Sequence, residues 1–148
     1  LIGGELMRTE LTTLYEIKKE IDYVTDRILG QYGLTLEQYL LLNLLEKSES
    51  TTTKIANILK VSKPAVSRRF RELHKKGWVA RTKTNEDFQD DYRIVLYRLT
   101  SAGQKVLDDG NKSAEQLLIS AGRDSLLDQA YQELRTLNQD SLKQSESL

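Results

Sequence analysis

Cysteine is absent from this chain of 148 residues, and histidine occurs only once, as His74. Without thiols the chain cannot form disulfides, thiolate metal sites or a thiol-based redox sensor. One histidine is too little for a histidine-rich zinc site or a serine–histidine catalytic pair. No stretch approaches the roughly 20 apolar residues of a membrane span, and no basic-then-apolar leader opens the chain. We therefore expect a cytoplasmic protein that carries neither a metal nor a cofactor.

Proline and glycine are also scarce, which favours helices. Proline occurs once, as Pro64, and glycine occurs eight times. The length corresponds to one domain, which can bury a core without metal or disulfide bonds. The only methionine is Met7, and we interpret residues 1–6 before it as a possible tag remnant.

Positive charge is concentrated in one segment of a chain whose formal net charge is zero. Residues 60–83 hold nine basic side chains and one acid, so this segment carries +8 and the rest of the chain carries −8. A solvated helix face would usually mix both signs. The asymmetry instead indicates a surface that binds nucleic acid.

The first third of the chain predicts two helices. A first helix over roughly residues 7–32, ending at Gly33, has an apolar stripe that suits packing against a partner helix, formed by Leu14, Ile17, Ile21, Val24 and Ile28. Thr35 and Gln38 form a capping-box pattern that opens a second helix. Leucines occur on most sides of that helix, Leu40 among them, and predict that it lies at the centre of the core.

A short extended step at residues 51–53 leads into two short helices joined by a tight turn. The predicted inner face of the first consists of Ile55, Ala56, Ile58 and Leu59. The second helix begins at the N-cap Ser62, carries Pro64 in its first turn and ends at Gly77. Its buried stripe, at about 100° per residue, consists of Val66, Phe70 and Leu73. Basic residues occupy the opposite face, which is typical of the recognition helix in a helix-turn-helix.

A β-hairpin and two further helices complete the predicted fold. Aromatic and β-branched residues predict strands over residues 78–82 and 94–99, with a polar loop between them. Thr100 caps a fifth helix, a sixth begins near Asp124 or Ser125, and the tail after Leu142 is expected to fray. The expected fold is mostly α with a small β-hairpin wing. Its predicted parts are an N-terminal dimerisation helix over 1–33, a winged helix-turn-helix over 34–100 and C-terminal dimerisation helices over 101–148.

The basic helix and the strand after it supply most of the candidate DNA-binding residues: Ser62, Lys63, Pro64, Ala65, Ser67, Arg68, Arg71, Lys75 and Arg81. Arg68 can fork two hydrogen bonds to a guanine edge, whereas Ser67 and Lys63 can reach a base or a phosphate. Phosphate contacts are expected further along the helix, at Arg71, Lys75 and Lys76. Arg69 borders the apolar stripe, from which it reaches either a phosphate or an acid of the protein.

Residues 91–103 read Asp-Tyr-Arg-Ile-Val-Leu-Tyr-Arg-Leu-Thr-Ser-Ala-Gly. This segment resembles the wing signature of MarR-type regulators. The signature consists of an aspartate two residues before an arginine, then an apolar strand, then Leu-Thr and a glycine. Residues 62–68 and 73–79 are similar to the same family, and the resemblance runs from about residue 34 to 106. It implies a transcription regulator, usually a repressor, that binds near-palindromic duplex DNA as a homodimer held by the first helix and the last two.

The resemblance also implies roles for the wing and for a signal. Arg93 would enter the minor groove, whose negative potential suits an arginine. Asp91 would orient Arg93 by a charge-assisted pair, although an ordinary surface salt bridge explains the same spacing. MarR-type regulators usually lose DNA affinity when they sense a small molecule, a metal or an oxidant. Sensing oxidants or zinc needs cysteine or several histidines, so the resemblance implies a small aromatic or anionic effector that releases the DNA. The tyrosines that either line the effector site or pack in the core are Tyr15, Tyr23, Tyr32 and Tyr39.

Two features depart from the family pattern. Four acids and no base lie between Lys83 and Arg93, so the loop tip is expected to avoid phosphates or to contact something else; their spacing is not that of an EF-hand. Arg69 stands where related proteins often keep a small or apolar residue. The alternative class is a winged-helix module that binds protein, which would not need the +8 segment. An enzyme is not expected, since no catalytic motif is present.

Overall fold

The computed structural model describes residues 7–84 and 94–146. The chain divides into two compact units, one up to Gly110 and one from Asn111 onward. The elements in chain order are α1 (Glu10–Leu29), a 3-10 turn (Gly30–Tyr32), α2 (Leu36–Leu45), β1 (Ser50–Thr51), α3 (Thr52–Leu59), α4 (Lys63–Lys75), β2 (Val79–Thr84), β3 (Ile94–Leu99), α5 (Ser101–Leu118) and α6 (Asp124–Glu146). The predicted class, mostly helical with a small β-hairpin wing, is confirmed.

Helix α1 begins with a capping box, and the 3-10 turn that follows it ends at a left-handed glycine. The Thr9 side chain accepts a hydrogen bond from the backbone N–H of Thr12 at 3.2 Å, and the Thr12 hydroxyl accepts one from the N–H of Thr9 at 2.8 Å. The 3-10 turn after α1 closes at Gly33, whose φ of 71° is costly for other residues. The apolar stripe of α1 is exposed along most of its length and enters the core only at Ile28, which is 7% exposed.

Helix α2 opens with the predicted Thr35–Gln38 capping box, whose two hydrogen bonds each measure 3.2 Å. Its core residues are Leu41, Leu42 and Leu45, which are 0 to 3% exposed. The prediction that leucines are buried on most sides is wrong for Leu40, which is 36% exposed. At about 100° per residue Leu40 lies nearly opposite that buried group, so the helix has an outer side after all.

Helices α3 and α4 form the predicted helix-turn-helix. Thr51 caps α3, Lys60 takes the left-handed conformation at its end, and Ser62 caps α4 by accepting the Ala65 N–H at 3.3 Å. Ile55 and Ala56 are buried as predicted. Ile58 is 52% exposed, contrary to its predicted inner position, because it lies roughly 110° around the helix from the core-facing side.

The wing is part of a three-stranded antiparallel sheet with strand order β1-β3-β2. The hairpin pairs Val79 with Leu99 and Arg81 with Tyr97, as a hairpin between the predicted strands requires. On the other edge of β3, Tyr97 pairs with Ser50 of β1. The ring of Tyr97 stacks on Phe70 of α4, with centroids 4.1 Å apart and planes 6° apart. This stack joins the sheet to the basic helix.

Helix α5 approaches the start of β2 so closely that only glycine fits at position 103. A Cβ added at Gly103 would overlap the carbonyl oxygen of Trp78 and lie 2.9 Å from Leu99 Cδ1. The Thr100 hydroxyl fixes the same junction, since it donates to the Gly77 carbonyl at 2.6 Å and accepts from the Gly103 N–H at 3.0 Å. The glycine of the sequence motif is therefore needed for helix–strand packing.

We expect Gly103→Ala to lower the free energy of unfolding by about 1–3 kcal/mol, because the backbone of residue 78 must move to admit a methyl group. Urea denaturation at a fixed protein concentration measures the change. The matched control is Gly30→Ala, where φ is −60° and no atom lies within 4 Å of the added Cβ. That variant should be neutral or more stable by up to about 1 kcal/mol. Equal stability of the two variants would contradict the packing role of Gly103.

The second unit contains the end of α5 and all of α6. Helix α6 begins at Asp124, one of the two predicted starts, and its backbone stays helical to Glu146, so the fraying expected after Leu142 is not observed up to that residue. Polar residues with adequate helix propensity, such as lysine, glutamine and glutamate, account for this. Leu127, Tyr131 and Leu134 form an apolar stripe on α6 and are 45 to 56% exposed. Within residues 7–84 and 94–146, no helix has both the length and the apolar character needed to cross a membrane.

Candidate DNA-binding surface

The outward side of α4 consists of one proline and three cations. Val66, Phe70 and Leu73 are fully buried and anchor the helix to the core, as predicted. Roughly opposite them, at about 100° per residue, lies a row of exposed side chains that we call the outward stripe: Pro64, Arg68, Arg71 and Lys75. Because the helix is fixed by its apolar side, these four side chains face solvent from a rigid support.

The N-terminal turn of α4 holds the remaining candidate residues of this helix. Ser62 is occupied as the N-cap, and Lys63 beside it is exposed. Ala65 and Ser67 are half-buried, on the flanks of the outward stripe. Pro64 lies in the first turn, where its missing N–H leaves no intrahelical hydrogen bond unmade. This turn is also the positive end of the helix dipole, which favours nearby phosphate.

The C-terminal end of α4 contains two lysines with different surroundings. Lys75 is exposed on the outward stripe. Lys76 Nζ donates to the Gly33 carbonyl at 2.7 Å and lies 4.6 Å from the ring centroid of Trp78. The structure thus engages Lys76 within the protein, where the sequence alone predicts a phosphate contact.

Glu72, the one acid in the basic segment, is also used inside the protein. Its Oε2 accepts a hydrogen bond of 3.3 Å from Nε2 of Gln38. Gln38 is 6% exposed, so a buried amide on α2 holds this carboxylate. The contact ties α4 to α2 and engages the one acid of the basic segment within the protein.

Strand β2 adds cations on the side of the sheet that α4 covers. Arg81 is paired with Tyr97, and Tyr97 stacks on Phe70 of α4. Residues directly opposite in an antiparallel pair share a face, and alternation puts Lys83 on that face with Arg81. Both side chains are exposed, so they extend the positive surface from α4 onto the wing.

The remaining sequence predictions concern the wing loop, Arg69 and a possible metal site. Arg93 and the four acids between Lys83 and Arg93, Asp91 among them, lie outside the described residues. Arg69 is half-buried at the border of the apolar stripe. In the part of the chain that the structure describes, no three histidine or carboxylate side chains come together as ligands for a metal ion would.

The four tyrosines considered for an effector site fall into two pairs. Tyr15 and Tyr23 on α1 are 52 and 61% exposed, which does not fit a cavity within one chain. Tyr32 and Tyr39 are half-buried. Burial, together with the nearby charge of Glu46, raises the pKa of Tyr39, so its hydroxyl stays protonated and can donate a hydrogen bond.

A helix-turn-helix followed by a wing, with an outward basic helix, defines a winged helix-turn-helix transcription regulator. The model of the MarR family matches residues 32–87. The uncharacterized HTH-type transcriptional regulator YpoP of Bacillus subtilis is 31% identical over 107 residues, which cover 72% of this chain and 70% of that protein. The chain belongs to the MarR family, and it is therefore a DNA-binding transcription regulator and not an enzyme.

Solved structures share the fold. Sco5413, a MarR family regulator from Streptomyces coelicolor, gives a TM-score of 0.69 at 22% identity and covers 90% of this chain and 93% of its own. MepR of S. aureus, solved with DNA, gives 0.65 at 23% identity with 96 and 100% coverage. A mutant MarR from E. coli, complexed with operator DNA, gives 0.63 at 19% identity with 83 and 91% coverage. These likenesses support the winged-helix architecture derived above.

Proposed function

We propose that this protein represses transcription as a cytoplasmic homodimer that binds a near-palindromic operator and leaves it when a small effector binds. The outward stripe of α4 is the observation that carries the proposal. It presents three exposed cations from a helix whose other side is anchored by fully buried residues. A rigid helix of this kind fits the major groove, with its N-terminal residues nearest the base edges.

Within that complex the candidate residues divide by reach and chemistry. Arg68 forks two hydrogen bonds to a guanine, while Lys63 and Ser67 contact a base or a phosphate beside it. Phosphates are bound by Arg71, Lys75 and Arg81, and the remaining members of the surface at the helix start are Ser62, Pro64 and Ala65. By the family resemblance, Arg93 contacts the minor groove, and Asp91 orients its side chain.

The dimer follows from apolar residues that remain exposed in a single chain. On α1, Leu14, Ile17, Ile21 and Val24 are 38 to 50% exposed along one stripe. On α6 a second stripe is exposed, as described above. Contiguous exposed apolar surface of this kind marks an interaction site. We assign dimerisation to residues 1–33 and 101–148 and DNA binding to residues 34–100.

Two relatives of known structure support a DNA partner. MepR was solved in a DNA complex, and the mutant MarR was solved with operator DNA. A two-fold symmetric dimer would place two copies of α4 on half-sites about one helical turn apart, which accounts for a near-palindromic operator. The effector is expected to be small and aromatic or anionic, by resemblance to the family.

Fluorescence anisotropy with fragments of the source genome tests the proposal. We expect a small number of fragments to bind at about 10⁻⁸–10⁻¹¹ M at physiological salt, at least about 10³-fold more tightly than the others. Uniformly weak binding that is indifferent to sequence would contradict the regulator. That result would favour the winged-helix module that binds protein.

Neighbouring lysines provide a test of which cations meet phosphates. Lys75→Ala should weaken operator binding and reduce the slope of log K against log salt by about one, because one phosphate contact is lost. Lys76→Ala should leave that slope unchanged and instead lower the free energy of unfolding by about 1 kcal/mol, since its contacts with Gly33 and Trp78 are lost. Binding titrations at four salt concentrations, with urea melts, separate the two. A reduced slope for Lys76→Ala would show that this lysine leaves Gly33 to bind DNA.

A further inference from the structure

One residue of the outward stripe, Pro64, has no contact assigned to it in the proposed DNA complex. Arg68, Arg71 and Lys75 are cations, whereas Pro64 is apolar and exposed at the end of the helix nearest the bases. The other large apolar residues of α4 are fully buried. Starting a helix explains a proline in the first turn, because its ring fixes φ near the helical value, but this role does not require the ring to face outward. The ring lies on the side of the helix that faces the DNA in the proposed complex.

The chemistry of proline restricts what it can recognise there. Its ring carries neither a donor nor an acceptor, and its backbone lacks an N–H, so it cannot hydrogen-bond a base edge or a phosphate. In the major groove the one apolar group that a base pair presents is the 5-methyl of thymine. A proline against a base edge therefore selects thymine by burying that methyl group.

Helical spacing gives the position of this thymine. Pro64 and Arg68 are four residues apart on one side of α4, which is about 6 Å along the helix axis. Successive bases on a strand are about 3.4 Å apart along the DNA axis. We infer that Pro64 reads the methyl group of a thymine within about two base pairs of the guanine held by Arg68. This inference rests on the proposed function, since it assumes that α4 occupies the major groove.

Two other exposed apolar residues are close in sequence and must be distinguished from Pro64. Ile58 is 52% exposed at the end of α3, and Val61 is 37% exposed in the turn. Both precede the N-cap Ser62 and so lie outside the helix that carries the outward stripe. Val61→Ser is therefore the matched control, because it also replaces an exposed apolar side chain with serine near the start of α4.

The test replaces each thymine of the operator half-site, one at a time, with 2′-deoxyuridine, which lacks only the methyl group. For the wild type, one replacement next to the essential guanine should weaken binding about fourfold, the equivalent of exposing one buried carbon group at about 0.8 kcal/mol. For Pro64→Ser the same replacement should make no further difference, because the methyl has already lost its partner. Val61→Ser should keep the fourfold effect. Thermal melts confirm that both variants fold.

The outcomes separate this inference from the proposed function. If the wild type binds an operator but no deoxyuridine weakens binding, or if the effect persists in Pro64→Ser, the thymine contact is wrong while the regulator stands. If Val61→Ser abolishes the effect instead, the thymine methyl is contacted by Val61 in the turn and not by Pro64. If no duplex binds specifically, the proposed function itself fails, and the thymine contact fails with it.

Discussion

Replacing Phe70 with alanine should lower the free energy of unfolding by about 3–5 kcal/mol. Phe70 is fully buried, and its ring stacks on Tyr97 at a centroid distance of 4.1 Å. The substitution therefore removes both a large core side chain and the aromatic contact that joins α4 to the sheet. Since a domain is stabilised by only about 5–15 kcal/mol, the loss is a large part of the total. Urea unfolding followed by circular dichroism measures it.

The control for this variant is Ile58→Ala, which shortens a side chain that is 52% exposed on the neighbouring helix. Its unfolding free energy should stay within about 0.5 kcal/mol of the wild type. Both variants must be compared at one protein concentration, because the stability of a dimer depends on it. A Phe70→Ala protein as stable as Ile58→Ala would mean that α4 is not held through this stack.

Ile21→Asp should convert the proposed dimer to monomers and weaken operator binding by about 10²–10⁴-fold. Ile21 lies in the middle of the exposed stripe of α1 and is 50% exposed in the single chain. In a two-fold dimer the substitution introduces two buried carboxylates, which are costly without partners. A monomer reaches one half-site at a time and loses the effective concentration that linked sites provide. Sedimentation velocity gives the mass, and anisotropy gives the affinity.

Tyr23→Asp is the matched control on the same helix. Tyr23 is 61% exposed and lies on the far side of α1 from Ile21 at about 100° per residue. This variant receives the same new charge outside the stripe and should remain a dimer with unchanged operator affinity. A dimeric Ile21→Asp protein, or a monomeric Tyr23→Asp protein, would show that the stripe is not the interface.

Elements set by short-range chemistry were predictable from the sequence. The Thr35–Gln38 box, the Ser62 cap and the glycines at positions 33 and 77 act within a few residues, and each appears as predicted. The buried stripe of α4 was predictable for the same reason, since helical periodicity depends only on spacing. The basic helix and the hairpin strands followed from composition that is local in the chain.

Features that depend on distant residues were not predictable. The charge of Lys76 predicts a phosphate contact, and only the fold shows that its Nζ lies 2.7 Å from the carbonyl oxygen of Gly33. The sequence predicts Gln38 only as a cap residue of α2, yet its amide also donates a hydrogen bond to Glu72 of α4. The exposure of Leu40 depends on which side of α2 the other helices cover, which a single leucine-rich segment does not reveal.

The central claim is that α4 reads base sequence through Arg68, and Arg68→Lys tests it most directly. Lysine keeps the positive charge but loses the fork that bonds a guanine twice. Anisotropy titrations at one salt concentration would compare the operator with a scrambled duplex of equal length. The account predicts a loss of about 1–3 kcal/mol on the operator and no change on the scrambled duplex. Equal affinity changes on the two duplexes, or no change on either, would contradict it.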